Sequence, residues 1–218
     1  ADVEEIDNGI RDRRIAQVAG RVSYRLSPTF IPFVQATANR IDFVAGRDEA
    51  GFDRDSRGLE LGAGVRLRTS ADTVVTAKGG LRRQRLADPR FSEIQGLTAD
   101  IAALTKVGPD TTFRTRLTRV LEQSTIRNAA AFFATRANVR LDHEVHRRLH
   151  IGADSRLARN VFPDILREDS IFGAGVDISY LANAHLRLNL DYDFLRRTST
   201  TNADFARNRV SLGARVHY

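Results

Sequence analysis

Residues 186–194 read LRLNLDYDF: Leu186, Leu188, Leu190, Tyr192 and Phe194 take every second position, and Arg187, Asn189, Asp191 and Asp193 fill the gaps. Successive side chains of a β-strand point to opposite faces, whereas a helix gathers its apolar residues every three or four positions. The stretch therefore reads as an extended strand with one greasy face and one charged face. Residues 58–68 (GLELGAGVRLR) repeat the pattern, with Leu59, Leu61, Ala63, Val65 and Leu67 set against Gly58, Glu60, Gly62, Gly64, Arg66 and Arg68. In the last stretch Val210, Leu212, Ala214, Val216 and Tyr218 alternate with Arg209, Ser211, Gly213, Arg215 and His217.

Outward from these stretches, the period of two runs from about residue 14 to the C-terminus. It marks about eleven strands, at 14–26, 30–44, 57–69, 72–86, 94–106, 111–123, 129–143, 147–159, 170–181, 185–197 and 205–218. Soluble strands cluster near five or six residues, whereas a tilted membrane strand needs about 9 to 11 for the hydrocarbon zone alone. The connections alternate in length. Those at 27–29, 70–72, 107–110, 144–146 and 182–184 are short, and those at 45–56, 87–92, 123–127, 160–169 and 199–204 are longer and polar. Outer-membrane barrels have short periplasmic turns and longer extracellular loops. The pattern predicts an all-β fold, a transmembrane antiparallel up-and-down β-barrel of about 11–12 strands over residues 14–218, preceded by a polar segment or loop over 1–13. Eleven strands ending in the periplasm would start outside the cell, yet single-chain bacterial barrels have an even strand number. Either residues 1–13 hold a poorly patterned twelfth strand, or the chain is the C-terminal part of a larger barrel; the second reading is preferred.

Composition closes off several other classes. Without cysteine there is no disulfide, no thiolate metal site and no thiol nucleophile. The longest wholly apolar run, 129–134, falls far short of the ~18 to 20 residues of a membrane-spanning helix. The start lacks a basic region followed by an apolar stretch, although an exported protein in mature form reads the same way. Of 34 basic residues against 27 acidic ones, only Lys78 and Lys106 are lysine, which leaves 32 arginines and a net charge of +7. An arginine-rich codon bias produces this without function. Alternatively, arginine lines a polar interior or grips anions through its bidentate fork. The arginines are spread over every strand and mixed with acids, not gathered in a stripe with stacking aromatics, so no nucleic acid is expected as partner.

The last eight residues, SLGARVHY, resemble the C-terminal β-signal of outer-membrane proteins, with Ser211, Gly213, Val216 and Tyr218 in its specified slots. That resemblance implies the barrel-assembly machinery as a partner. Five further segments carry a wider likeness: GFDRDSRGLELGAGV (51–65), RQRLADPRFSEIQGLTADIAAL (83–104), LDHEVHRRLHIGADS (141–155), REDSIFGAGVDISYLANAHLRLNLDYDFLRRTST (167–200) and DFARNRVSLGARVHY (204–218). Together they resemble the outer-membrane β-barrel porin family associated with exopolysaccharide secretion. The likeness implies residence in the bacterial outer membrane among its lipids, a passive conduit in place of an enzyme, no cofactor, and a polysaccharide-export complex as partner. Members of that family are longer than this chain, in line with the missing-strand reading. The chain departs from expectation in having no tryptophan and few tyrosines, which leaves a thin aromatic girdle from Tyr24, Phe30, Phe113, Phe172, Tyr180, Tyr192, Phe194 and Tyr218.

On the barrel reading the charged face lines the lumen and presents Arg66, Arg68, Arg82, Arg136, Arg140, Arg156, Arg187, Arg209, Arg215, Glu60, Asp100, Asp177 and Asp191. Opposite charges on neighbouring strands pair and stiffen the wall, and an excess of arginine favours anions, such as an anionic polysaccharide or small solutes. Gly62, Gly64, Gly173 and Gly175 make room there for bulky neighbours. His143, His146 and His150 lie near Asp142 and Glu144, but strand geometry points Asp142 and His143 to opposite faces and puts His146 in a turn. They read as solvated turn histidines, and neither a catalytic nor a metal site is expected. Two other functions stay open: a structural outer-membrane anchor or interaction barrel without conductance, and a soluble all-β binding protein with its Leu/Val/Ala face inside.

Overall fold

The computed structural model describes residues 12–216 apart from 49, 125, 127 and 202. Eleven strands follow one another in a single antiparallel meander: β1 (Arg13–Ser23), β2 (Phe30–Phe43), β3 (Ser56–Arg68), β4 (Thr73–Leu86), β5 (Ile94–Val107), β6 (Thr111–Gln123), β7 (Ala131–His146), β8 (Leu149–Phe162), β9 (Arg167–Leu181), β10 (Leu186–Ser199) and β11 (Phe205–Val216). This is the up-and-down architecture read from the alternation. Among the described residues β1 pairs only with β2, and β11 only with β10.

Local side-chain chemistry sets the short turns. Ser27 Oγ accepts the N–H groups of Thr29 and Phe30, Ser70 Oγ accepts that of Asp72, and Asn183 Oδ1 accepts those of His185 and Leu186. Such acceptors close a turn without help from the sheet, and a fixed turn fixes the register that keeps each face pure. After β5, Gly108 takes the left-handed φ of 69° that a side chain would resist.

Most boundaries move by one to three residues from the alternation's bounds, as where β1 ends at Ser23 and β7 begins at Ala131, and two connections change in kind. The 144–146 turn belongs to β7, which runs to His146 through a register shift between Glu144 and His146 and leaves Arg147 and Arg148 as the turn. The 160–169 link shrinks to a single 3-10 turn, Pro163–Ile165, with Leu166 left-handed, because β8 keeps pairing to Phe162 and β9 starts at Arg167. Of the segment 1–13, only Asp12 and Arg13 are described; Tyr218 also lies outside the described residues.

Register joins Leu61 to Leu81 and Leu81 to Leu97 on one face, and Thr37 to Glu60 and Glu60 to Arg82 on the other. Leu61, Leu81 and Leu97 are 57%, 65% and 65% exposed, while Glu60 is 9% and Thr98 4%. A soluble sandwich would bury the leucines and wet the glutamate, so this inversion overturns the soluble binding-protein alternative. The apolar side of β3 runs from Leu59 to Leu67, about 27 Å of strand; tilted by ~40° it spans about 21 Å, most of the ~25 Å apolar band of a membrane barrel. Of the aromatics expected in a girdle, Phe30, Phe113, Phe172, Tyr180, Tyr192 and Phe194 share that outward side, Tyr192 at mid-strand, with Phe172 and Phe194 edge to face at 6.1 Å.

Candidate functional site

The polar face is a wall of paired charges. Every residue expected to line a lumen shares it by register: Arg66 and Arg68 on β3, Arg82 on β4, Asp100 on β5, Arg136 and Arg140 on β7, Arg156 on β8, Asp177 on β9, Arg187 and Asp191 on β10, and Arg209 and Arg215 on β11, with Glu60 beside Arg82. Glu60 receives Lys78 at 2.6 Å and Arg82 at 3.6 Å. Arg136 grips Glu122 in a fork of 2.6 and 2.7 Å, and Arg116 holds Asp100 at 3.0 Å. Arg140 reaches Asp142 at 2.8 Å, Asp177 at 2.9 Å and Asp154 at 3.7 Å, and Asp193 takes both Arg156 and Arg207. The strand glycines admit these groups. A Cβ on Gly173 would collide with the Arg156 side chain, one on Gly64 with the Phe33 ring, and one on Gly175 would stand 2.8 Å from Asp154.

Pairing is uneven along the wall. Arg66, Arg68, Arg187, Arg209 and Arg215 have no carboxylate within salt-bridge distance among the described residues, and Arg187 stands directly opposite Arg215. Four of the five lie at or near the short-turn end of their strands. A hollow of about 460 Å3 on this face is walled by Arg66, Arg114, Arg116 and Arg140, with Arg114 and Arg140 also directly opposite one another. Arg114 and Arg140 share Asp142 and Arg116 holds Asp100, so the surplus positive charge of this hollow is that of Arg66, and surplus arginine in a lumen favours an anion.

The other end of the wall is covered by a hairpin tip that the sequence pattern places outside. Pairing between β5 and β6 stops at Ala99 and Arg119, although β4–β5 pairing continues to Ile94 and β6–β7 pairing to Gln123 and Ala131. The top of β6–β7 thus leaves its neighbour. Gln123 Nε2 donates to Ser56 Oγ at 2.7 Å, and Arg13 Nη1 donates to Gln123 Oε1 at 3.5 Å. Within a flat sheet β6 and β3 are three strand spacings apart, about 14 Å. Side-chain contact between them requires the tip to turn inward over the polar face. Phe133 seats against Gly96 with no room for a Cβ, and Ile94, Ala130, Ala131 and Phe133 form a buried cluster with Leu86, Phe91 and Leu121.

Arg54, in the β2–β3 connection and 4% exposed, holds this tip. Its guanidinium donates to the carbonyls of Ser124, Ala129 and Ile126 at 2.7, 2.9 and 3.1 Å, and to Asp48 at 2.6 Å. On the far side Asp164 accepts the Ala130 N–H, and Phe132 stacks on Phe162 at 4.7 Å. The clue to this docking lay in the run 129–134 (AAAFFA): it abandons alternation, as a segment buried on both sides does. No sequence signal singled out Arg54.

The carboxylates of this cap are held ionised. The Arg90 side chain lowers the Asp88 pKa well below the usual carboxylate range, against opposing burial, with help from the N–H groups of Arg90 and Asp53. For Asp48 burial pushes upward but is outweighed by the Phe52 N–H, Arg54 and the Ala50 N–H. A depressed pKa contributes stability that is complete above the unfolded value and lost as pH falls through the folded one. The cap is therefore expected to resist trypsin equally at pH 7 and pH 5, and to open only below the ordinary carboxylate range; opening near pH 6 would contradict this.

The histidines make no cluster. His143 Nδ1 bonds Thr111 Oγ1 at 2.8 Å, His146 Nδ1 accepts the Arg148 N–H, and among the described residues no group suited to a metal is found.

A family model described as Putative beta-barrel porin 2 matches residues 1–218. No curated protein matches the chain. Among solved structures, the fold is similar to the outer membrane channel DcaP of Acinetobacter baumannii, at 13% identity and a TM-score of 0.61 over 91% of this chain and 61% of that one. It is also similar to the siderophore receptor PirA from Pseudomonas aeruginosa, at 15% identity and a TM-score of 0.58 over 94% of this chain and 37% of that one. The chain thus spans less than two thirds of the length of either, and the likeness is one of fold.

Proposed function

Because this chain belongs to the Putative beta-barrel porin 2 family, an outer-membrane β-barrel porin family, we propose that its polar face lines a passive, anion-preferring conduit narrowed by the inturned β6–β7 tip. The observation that carries this reading is the hollow walled by Arg66, Arg114, Arg116 and Arg140. Unpaired arginines at the short-turn end, Arg68, Arg187 and Arg215, would draw anions in from the periplasm. Export of an anionic polysaccharide suits that polarity, and a polysaccharide-export complex on the periplasmic side would supply it. The barrel-assembly machinery would insert the wall through the terminal strand.

In planar bilayers under a salt gradient, the reversal potential is expected to show anion preference. Arg66→Gln with Arg187→Gln should shift it toward cations, and acidic oligosaccharide added on the short-turn side should block current in the parent protein more than in the variant. Cation preference in the parent would overturn the reading. A conduit closed by its tip, serving as an anchor, is the second reading; the buried Arg54 clamp favours it, and it predicts no current until that clamp is cut.

A further inference from the structure

The outward, apolar face carries most of its charge at one end. Toward the short turns it is bare of Arg, Lys, Asp and Glu side chains among the described residues, but at the long-loop end it presents Arg14, Arg40, Arg57, Arg83, Arg85, Arg159 and Arg196, with Asp42, Asp55, Glu93 and Glu168 as the opposing acids, and Arg119 shares the face where β6 parts from β5. Three of these arginines stand in one line across the strands: Arg40 is directly opposite Arg57, and Arg57 directly opposite Arg85. Like charges in direct cross-strand register destabilise a sheet unless an anion lies between them. Asp42 holds Arg40, and Glu93 holds Arg83 and Arg85, while Arg57 has no ion pair among the described residues. A recess of about 280 Å3 opens among Arg40, Arg57 and Arg85, with Asp42 and Asp55 also on its wall.

Below the row, across β1 to β5, lies a larger, mainly apolar hollow of about 1060 Å3, floored by Ala63, Gly79 and Ala99 and edged by Leu61, Leu81 and Leu97, with Arg119 its one charged lining residue among the described residues. Leu61 is four residues below Arg57 on β3, about 13 Å along the strand. A cationic shelf one headgroup's depth above a greasy trough fits a molecule with phosphate at its head and acyl chains beneath it. Arginine's planar fork matches phosphate oxygens, and the low local dielectric strengthens the contact.

We infer that the outward face of β2–β4 is a docking site for a phosphate-bearing glycolipid of the outer leaflet, with Arg40, Arg57 and Arg85 on its phosphate and the Leu61–Leu81–Leu97 trough on its acyl chains. The site stands on the side of the sheet away from the conduit and rests on the assignment of the long loops to the cell exterior.

The full chain, folded in an uncharged detergent, would be titrated with diphosphorylated lipid A, with the same lipid stripped of phosphate, and with inorganic phosphate. Bound lipid would be counted by native mass spectrometry. Arg57→Gln with Arg85→Gln is expected to weaken binding of the phosphorylated lipid about 30-fold, from about fivefold per surface arginine. Arg187→Gln with Arg215→Gln, on the polar face at the opposite end, should leave it unchanged. Equal binding of the dephosphorylated lipid, an unchanged affinity in the Arg57/Arg85 variant, or displacement by millimolar inorganic phosphate would each overturn the inference, the last by assigning the row to a soluble anion. Heat-modifiable gel mobility shows that each variant is folded. Conductance that persists in the Arg57/Arg85 variant separates failure of this site from failure of the conduit.

Discussion

Replacing Arg54 with alanine is expected to free the β6–β7 tip from the polar face and raise single-channel conductance. One guanidinium satisfies three carbonyls and a carboxylate in a nearly dry setting, 4% exposed. Removing it leaves the half-buried Asp48 with only the Ala50 and Phe52 N–H groups and the carbonyls of Ser124, Ile126 and Ala129 without their donor. Breaking a buried pair from one side costs about 3–5 kcal/mol, a price the small Ile94–Phe133 cluster would have to offset alone. Lysine at this position keeps the charge but lacks the planar fork, so Arg54→Lys should restore the closed state only in part. The measurement is paired: step conductance in planar bilayers, and trypsin cleavage near residue 126. Increased cleavage with unchanged conductance would place the tip outside the current path. Neither effect would show that Arg54 is not the clamp.

A charge in the middle of the apolar belt has the second large effect. Leu61 lies near the centre of β3, 57% exposed and directly opposite Leu81. Leu61→Arg is expected to destabilise the protein by about 2–4 kcal/mol in lipid vesicles, the range for arginine at the bilayer midplane. Asn189→Arg, on the polar face of β10, should change stability by no more than about 0.5 kcal/mol. Urea unfolding followed by tryptophan-free probes such as gel mobility would read both. Equal effects at the two positions would mean that the two faces meet the same solvent.

The fold was legible because its governing signal is simple. Alternation in stretches such as 58–68 and 186–194 demands two-faced strands, their length suits a membrane span, and the alternation of short and long links orders them. Boundaries failed where a local device intervened: the shift at Glu144 and His146 lengthens β7, and Pro163 compresses a ten-residue link into one turn. The charged residues expected to share a face do so, since parity along a strand follows from position alone. What parity cannot express is contact between strands that are not neighbours. The bonds from Gln123 to Ser56 and from Arg54 to the 124–129 turn span about seventy residues. They depend on β6 parting from β5, which no residue near Ala99 or Arg119 announces.

The outer edges of β1 and β11, unpaired among the described residues, have a geometric consequence of their own. In a meander of eleven, the first and last strands point the same way, so β1 and β11 both run from the long-loop end toward the short-turn end. If these edges met, the seam would be parallel, with slanted and slightly weaker hydrogen bonds unlike every other rung of the ladder. An all-antiparallel ring needs an odd number of additional strands between them. A segment that closed this wall with antiparallel rungs alone would therefore enter the seam from one side of the membrane and leave from the other.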